Sequence, residues 1–241
     1  MALAPYSSFQ TSKGEPMNPL DRPVWSALHG PQARLGAWNH SGTAVRIDPG
    51  YGPFAAAAPG EEAALLDLLE HAMDEVWVVE SPGFTPPSGL SVVRQGALVQ
   101  MEAQGGLPAF DVEGIEVLGE GDVADMRALA LANQPGPWGE RTHLYGTYYG
   151  IRDGGRVVAM AGERLRPGVG LAEVSGVCTD PAYRGRRYAA RLIARVMAGF
   201  AQRGDRAFLH SWAENEGAIA LYEQLGFRVR ARLVAMALRR G

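Results

Sequence analysis

The segment from residue 174 to residue 192 constrains the fold of this chain more than any other. An apolar run of strand type (174–178) leads through Thr179-Asp180-Pro181 into a short basic loop that contains a glycine (184–187). An amphipathic helix pattern follows at once. The first N–H groups of such a helix have no partner inside it, and the helix dipole places positive charge there. Three arginines in the loop add full charges, so the segment predicts an anion site that suits a pyrophosphate.

This loop resembles the coenzyme A loop of the GNAT superfamily of N-acetyltransferases, whose pattern is Gln/Arg-x-x-Gly-x-Gly/Ala. Arg184 and Ala189 fill the outer positions of the pattern, and Gly185 lies inside it. Arg187 stands where the family has its central glycine. A glycine there would let phosphate groups approach the backbone closely, so the arginine predicts an altered affinity for coenzyme A.

A second segment, residues 207–227, resembles the next strand and the last helix of the same superfamily. The signature Asn-x-x-Ala-x-x-Leu-Tyr-x-x-x-Gly-Phe is matched at Asn215, Ala218, Leu221, Tyr222, Gly226 and Phe227. Residues 173–179, Glu-Val-Ser-Gly-Val-Cys-Thr, also resemble the glycine N-acyltransferase-like branch. The resemblance implies that an acetyl group passes from acetyl-CoA, as co-substrate, to a primary amine by direct attack in a ternary complex.

The periodicity of the second half predicts a mixed-sheet α/β layer fold, and the resemblance implies the GNAT N-acyltransferase fold. Helices are expected over about 186–203 and 215–224, and helical spacing predicts another over 61–73. Glycine and proline at 104–108 are typical of a linker.

We therefore divide the chain into a flexible lead-in (1–18), an N-terminal α/β domain (19–106) and a C-terminal GNAT acetyltransferase domain (107–241). The N-terminal half is compatible with a degenerate copy of the same fold. A protein-interaction role for that half stays open, and a large exposed apolar patch would favour it.

Composition limits the compartment and the ligands. The chain carries a net charge of −3 and a single cysteine, Cys178, which excludes an internal disulfide framework and fits a reducing compartment. No His, Asp or Glu cluster has metal-ligand spacing, so no catalytic metal is predicted. No apolar run approaches the roughly 20 residues of a membrane helix, and the N-terminus lacks a signal-peptide core. These features predict a cytoplasmic protein without a membrane partner.

The partners follow from the loop and from the family. The arginines of the loop do not alternate with aromatic side chains on which bases could stack, so a nucleic-acid partner is not expected. The acceptor implied by the resemblance is a small-molecule or peptide amine, and a homodimer stays open. The competing hypothesis for the whole chain is a catalytically silent module that binds or senses coenzyme A, and Arg187 motivates it.

Acetyl transfer needs a polarised carbonyl, a deprotonated amine and a proton for the thiolate. The family polarises the carbonyl with a backbone N–H at a splay or bulge in the strand before the loop. By position this is the N–H of Val177, and Gly176 suits a bulge. Tyr222 is the expected proton donor, with a core tyrosine as the competing interpretation. Glu173 is the expected general base, with an exposed strand glutamate as the alternative.

Other residues carry weaker predictions. Glu163 and His210 are alternative bases. Asn215 is expected to contact the pantetheine arm, to cap the helix, or to do both. Four aromatic residues are expected either to line an acceptor pocket or to cover the core: Trp138, Tyr145, Tyr148 and Tyr149. The predicted cofactor contacts are Val177, Cys178, Thr179, Arg184, Gly185, Arg186, Arg187, Tyr188, Ala189, Ala190 and Asn215.

Overall fold

A large mixed sheet organises the structure, a computed structural model that describes residues 17–71, 73–106 and 111–241. Within these residues the sheet has eight strands, in the order β4-β11-β5-β10-β9-β8-β7-β6. The strands are β4 (Val76–Glu80), β5 (Leu90–Ala103), β6 (Glu116–Leu118), β7 (Tyr148–Asp153), β8 (Arg156–Glu163), β9 (Leu171–Thr179), β10 (Arg206–Trp212) and β11 (Phe227–Arg240). The mixed α/β fold expected from the sequence is thereby confirmed.

Three further strands form a small antiparallel sheet near the N-terminus: β1 (Gly36–Trp38), β2 (Ala44–Ile47) and β3 (Ala55–Ala57). A single bridge between Phe54 and Trp77 joins this region to β4. Strands β4 and β5 precede residue 106, yet they lie in the same sheet as the later strands. The division of the chain near residue 106 stays a prediction, and its lead-in falls almost wholly outside the described residues.

Four α-helices accompany the sheets in the described part of the chain: α1 (Pro23–His29), α2 (Val123–Asn133), α3 (Tyr188–Gln202) and α4 (Glu216–Gln224). Helix α3 buries one apolar face, including Leu192, Ile193, Val196 and Phe200, against the sheet. None of these helices has the length and the apolar character that crossing a membrane requires.

The predicted helix over 61–73 is wrong. Residues Glu62–Leu68 form a 3₁₀ segment instead. Arginine side chains from two other strands take carbonyl oxygens that an α-helix would use. Arg46 donates to Leu68 O, and Arg240 donates to the carbonyl oxygens of Leu66 and Leu69. These tertiary hydrogen bonds override the helical pattern of the sequence.

The parallel pair β9 and β10 separates part of the way along. Leu171–Glu173 pair with Arg206–Phe208, and no later residues of the two strands pair with each other in the described structure. From Phe208 to Trp212, β10 stays paired with β5 on its other side. The later half of β9 therefore keeps β8 on one edge and leaves its other edge open.

A β-bulge in β9 accompanies this separation. Ser175 pairs with Gly162 and Cys178 pairs with Met160, so two residues of β9, Gly176 and Val177, stand opposite one residue of β8. Gly176 has φ +62°, a left-handed conformation that favours glycine. The predicted bulge is confirmed.

We expect Gly176→Ala to destabilise the protein more than Gly154→Ala. Both glycines have left-handed φ, so both alanines lose about 1–2 kcal/mol of unfolding free energy. At residue 176 the new Cβ would also lie 2.8 Å from Tyr148 Cε1, whereas nothing lies within 4 Å at residue 154. The clash adds about 1–3 kcal/mol. Urea unfolding measures both variants, and equal losses would show that the bulge is not tightly packed.

Candidate active site

A cleft of about 520 Å³ opens where β9 and β10 separate. One wall consists of the open edge of β9 and the first turns of α3 and α4. The other wall consists of the end of β10 and of side chains from the first half of the chain, namely Phe54, Trp77, Val79 and Leu98. A groove of about 450 Å³ adjoins the cleft along the basic loop and shares Thr179, Arg184, Ala189 and Leu221 with it.

The basic loop leaves its charges exposed beside the start of α3. Asp180 Oδ1 accepts a hydrogen bond from Ala182 N at 3.0 Å and fixes the turn that begins the loop. Arg184 Nη2 donates to Asn133 Oδ1 at 3.0 Å, and the Arg186 guanidinium stacks over the ring of Tyr183. The positive charges therefore lie beside the unpaired N–H groups of the helix, as an anion site requires.

The predicted cofactor residues divide between the two cavities. Those that line the cleft are Val177, Cys178, Thr179, Arg184, Ala189 and Asn215. Those that line the groove but not the cleft are Gly185, Arg187, Tyr188 and Ala190. Arg186 lines neither of them.

Arg187 holds the backbone conformation that glycine would hold more easily. Its φ is +61° and its ψ +17°, and it is the residue immediately before α3. A left-handed conformation costs an L-residue about 1–2 kcal/mol. The chain therefore keeps the backbone geometry of a glycine loop while carrying a charged side chain at that point.

The open edge of β9 fits an extended ligand that carries amide groups. Val177 and Thr179 lie on this edge, which no strand in the described residues covers. The hydroxyl of Thr179 is buried and has no hydrogen-bond partner there. Backbone N–H and C=O groups without partners can receive an added chain in the manner of another strand, so these residues fit a pantetheine arm.

Helix α4 brings Tyr222 and Asn215 to the cleft. Asn215 Oδ1 accepts from Ala218 N at 3.2 Å, so its predicted role as a helix cap is confirmed. Burial raises the pKa of Tyr222 to about 12. The phenol is therefore protonated at neutral pH, and it is a weaker acid than an exposed tyrosine.

Glu173 lies at the point where the two strands separate, buried with 4% of its surface exposed. Its Oε1 is 2.8 Å from His210 Nδ1, and its Oε2 accepts from Leu165 N at 3.1 Å. Burial alone would raise the pKa of Glu173. The hydrogen bond from His210 and the positive charge of Arg164 reverse this effect, so the pKa lies below its ordinary value. The alternative of an exposed strand glutamate is wrong.

The amide of Gln100 assigns the tautomer of His210. Gln100 Oε1 accepts from Arg230 at 2.9 Å, and its Nε2 donates to Leu20 O at 2.8 Å. This fixed orientation places the amide Nε2 3.0 Å from His210 Nε2. Because Gln100 donates there, His210 Nε2 must accept, and the ring proton resides on Nδ1, facing Glu173.

Several sequence-predicted residues lie outside the cleft. Glu163 pairs with Arg203 at 2.9 Å and does not line the cleft. Trp138 and Tyr148 pack behind Gly176, and Tyr149 lies under Arg195. Tyr145 packs edge to face against Tyr51. Besides Tyr222 and His210, the aromatic residues that line the cleft are Phe54, Trp77 and Trp212.

Burial raises the pKa of the Cys178 thiol to about 12, which keeps it protonated and makes it a poor nucleophile. In the described residues, no group of three or more His, Cys, Asp or Glu side chains is arranged to hold a metal ion.

Comparisons with known proteins agree on one family. The family model described as FR47-like protein matches residues 148–235. A crystal structure from Novosphingobium aromaticivorans, assigned to the GNAT acetyltransferase family, is 56% identical, with a TM-score of 0.89; the match covers 93% of this chain and 100% of that one.

Two further relatives are more distant. A GCN5-related N-acetyltransferase from Kribbella flavida shares the fold at 20% identity, with a TM-score of 0.57 over 90% of this chain and 93% of that one. N-alpha-acetyltransferase RimI of Mycobacterium tuberculosis is 41% identical over 83 residues, which are 34% of this chain and 51% of the relative. This chain thus matches about half the length of that curated relative.

We expect Arg187→Gly to be more stable than Arg187→Ala by about 1 kcal/mol, because only glycine adopts the left-handed backbone without strain. The matched pair at Arg191, inside α3, should show the opposite order, since glycine weakens a helix interior by about 1 kcal/mol relative to alanine. Thermal and urea unfolding of the four variants tests this. The same order at both sites would contradict the assigned conformation of Arg187.

Proposed function

The chain belongs to the GNAT family of acetyltransferases, and we propose that it transfers the acetyl group of acetyl-CoA to a primary amine by direct attack in a ternary complex. One arrangement carries the proposal. A single cleft is bordered by the open edge of β9, by the Glu173–His210 pair and by the side chain of Tyr222. Acetyl-CoA supplies an activated thioester, and the amine is the nucleophile.

The basic loop and the open edge would hold the two ends of acetyl-CoA. Arg184 and the start of α3 would bind the pyrophosphate through charge and N–H groups. The backbone of Val177 and Thr179 would bind the pantetheine arm, with Thr179 Oγ1 as a further polar contact. The N–H of Val177, at the bulge, would donate to the thioester carbonyl and stabilise the negative charge that develops there.

Glu173 would accept the proton of the acceptor amine through a water molecule. Its buried carboxylate is ionised, and the Nδ1–H of His210 holds one of its oxygens in place. A negative charge at this point also attracts an acceptor that enters as an ammonium ion. His210 acts here as a positioning residue, since Gln100 occupies its other nitrogen.

Tyr222 would protonate the departing thiolate. The amine nitrogen forms a bond to the carbonyl carbon, the carbon–sulfur bond breaks, and the sulfur takes the phenolic proton. The phenol regains a proton from solvent as the products leave. The raised pKa of Tyr222 keeps it protonated before this step.

The class of acceptor is a finer proposal. The name of the mycobacterial relative, an N-alpha-acetyltransferase, supports an α-amine, whether of a small molecule or of a peptide. The likeness of residues 173–179 to the glycine N-acyltransferase-like branch supports the small molecule. The buried free thiol of Cys178 supports a cytoplasmic location.

A silent module that binds coenzyme A is the second candidate. The strained Arg187 favours it, because the loop departs from a glycine pattern at the point closest to the helix. The hydrogen bonds that link Glu173, His210 and Gln100 argue against it, because binding alone does not require a histidine ring held in one tautomer inside the cleft.

We expect acetyl-CoA and free CoA to bind with micromolar dissociation constants, and Arg184→Ala to weaken both by about 10-fold, because it removes a charged contact to the pyrophosphate. Isothermal titration calorimetry measures this. Arg34→Ala removes an exposed arginine elsewhere and should leave both constants unchanged. Absence of binding at millimolar ligand would overturn both candidate functions.

We expect Tyr222→Phe to lower kcat about 100-fold or more, while the dissociation constant of acetyl-CoA stays within about twofold, because the change removes only the proton donor. Thiol release with a panel of amines gives kcat. Tyr149→Phe, which alters a buried tyrosine outside the cleft, is the control. Coenzyme A binding without thiol release by the unaltered protein would favour the silent module.

A further inference from the structure

Arg164 is a buried cation that lines the cleft without a carboxylate partner. It exposes 5% of its surface. Its Nη2 donates a long hydrogen bond of 3.3 Å to Pro137 O, and its Nε is buried with no partner among the described residues. Among the residues that the structure describes, no Asp or Glu forms an ion pair with Arg164. Burying a charge without a counterion is costly, so a ligand of opposite charge is the expected complement.

The position of Arg164 is fixed by its surroundings. Its backbone N–H donates to Glu173 O at 3.2 Å, and its carbonyl accepts from Gln32 Nε2 at 2.8 Å. The guanidinium carbon lies 5.7 Å from the centre of the Phe54 ring. A Cβ on Gly136 would lie only 3.2 Å from Arg164 Nη1, so glycine leaves room for the guanidinium.

Neither nearby carboxylate forms an ion pair with Arg164 in the described structure, and Glu163, the preceding residue, pairs with Arg203 and Arg166. Glu173 is hydrogen-bonded to His210 and to Leu165 N instead. The cleft therefore contains the Glu173 carboxylate and the Arg164 guanidinium, from two residues whose backbones are hydrogen-bonded to each other. Apolar side chains, among them Trp77 and Leu98, form the wall of the cleft beyond them.

We propose that the acceptor is an amine that bears a carboxylate and an apolar or aromatic group, and that Arg164 binds the carboxylate. This inference rests on the proposed acetyl transfer. The ammonium group would approach Glu173, the carboxylate would pair with the guanidinium fork, and the apolar group would pack against Phe54 and Trp77. A free α-amino acid has all three parts, whereas a peptide N-terminus lacks the carboxylate next to its amine.

The test compares matched acceptors by thiol release: L-phenylalanine with L-phenylalaninamide, L-leucine with L-leucinamide, and 2-phenylethylamine. We expect kcat/KM for each acid to exceed that for its amide by about 30-fold or more, since the amide leaves a buried arginine unpaired. The amine of each amide is less basic than that of the matching acid, so a larger fraction of it is unprotonated at neutral pH. This difference alone would make the amide the faster acceptor. Equal rates for acids and amides would overturn the inference and leave acetyl transfer standing.

Arg164→Gln should raise KM for the acids by about 10- to 100-fold, bring the acid-to-amide ratio close to one, and leave the dissociation constant of acetyl-CoA within about twofold. Arg164→Lys keeps the charge but loses the fork, so an intermediate ratio is expected. Arg206→Gln removes a surface arginine on β10 and should leave the ratio unchanged. An unchanged ratio in Arg164→Gln would contradict the proposal. If that variant does not fold, the wild-type comparison and Arg164→Lys decide.

A binding measurement separates this inference from the proposed function. Calorimetry with N-acetyl-L-phenylalanine and its amide, in the presence of CoA, requires no turnover. Tighter binding of the acid, lost in Arg164→Gln, would support the carboxylate site even if no thiol were released. Absence of both thiol release and acetyl-CoA binding would instead overturn the proposed transfer.

Discussion

The separation of β9 from β10 after Glu173 and Phe208 is the constraint on which the rest of the site depends. A parallel pair that continued to Thr179 would satisfy its own backbone groups and close the sheet. Because β10 stays bonded to β5 while the bulge at Gly176 redirects β9, the sheet opens at a defined residue. Glu173 lies at the apex of the opening, so its carboxylate borders the cleft while most of its surface stays buried.

Hydrogen bonds tie the N-terminal part of the chain to this apex. Asp21 pairs with Arg230, which donates to Gln100, and Gln100 in turn fixes the ring of His210 beside Glu173. Each member depends on the one before for its orientation. The first half of the chain therefore contributes apolar side chains to the cleft and, through Gln100, also sets the tautomer of His210 beside Glu173.

Local patterns predicted the parts of the site that local sequence determines. The bulge at Gly176, the cap at Asn215 and the amphipathic helix α3 each follow from a few adjacent residues. Trp77 could not be placed in this way, because the pairing of β4 with β11 joins residues more than a hundred positions apart, and Phe54 reaches the cleft through its bridge to Trp77. Arg164 was missed because only the folded structure shows that its guanidinium is buried without a carboxylate partner. The left-handed backbone of Arg187 was hidden for a different reason, since an arginine gives no sign of a conformation that glycine usually marks.

The strand order also sets a sequence of events during synthesis. Within the large sheet, β4 has one neighbour, β11, which is formed by Phe227–Arg240. Trp77 and Val79 on β4 therefore stay unpaired in the large sheet until β11 has been synthesised. The contacts of the basic loop with Asn133 and Tyr183 involve residues that are synthesised before it, so the loop can form earlier. A nascent or truncated chain would thus form the basic loop before Trp77 and Val79 are paired, and β11 would then join the two sides of the cleft.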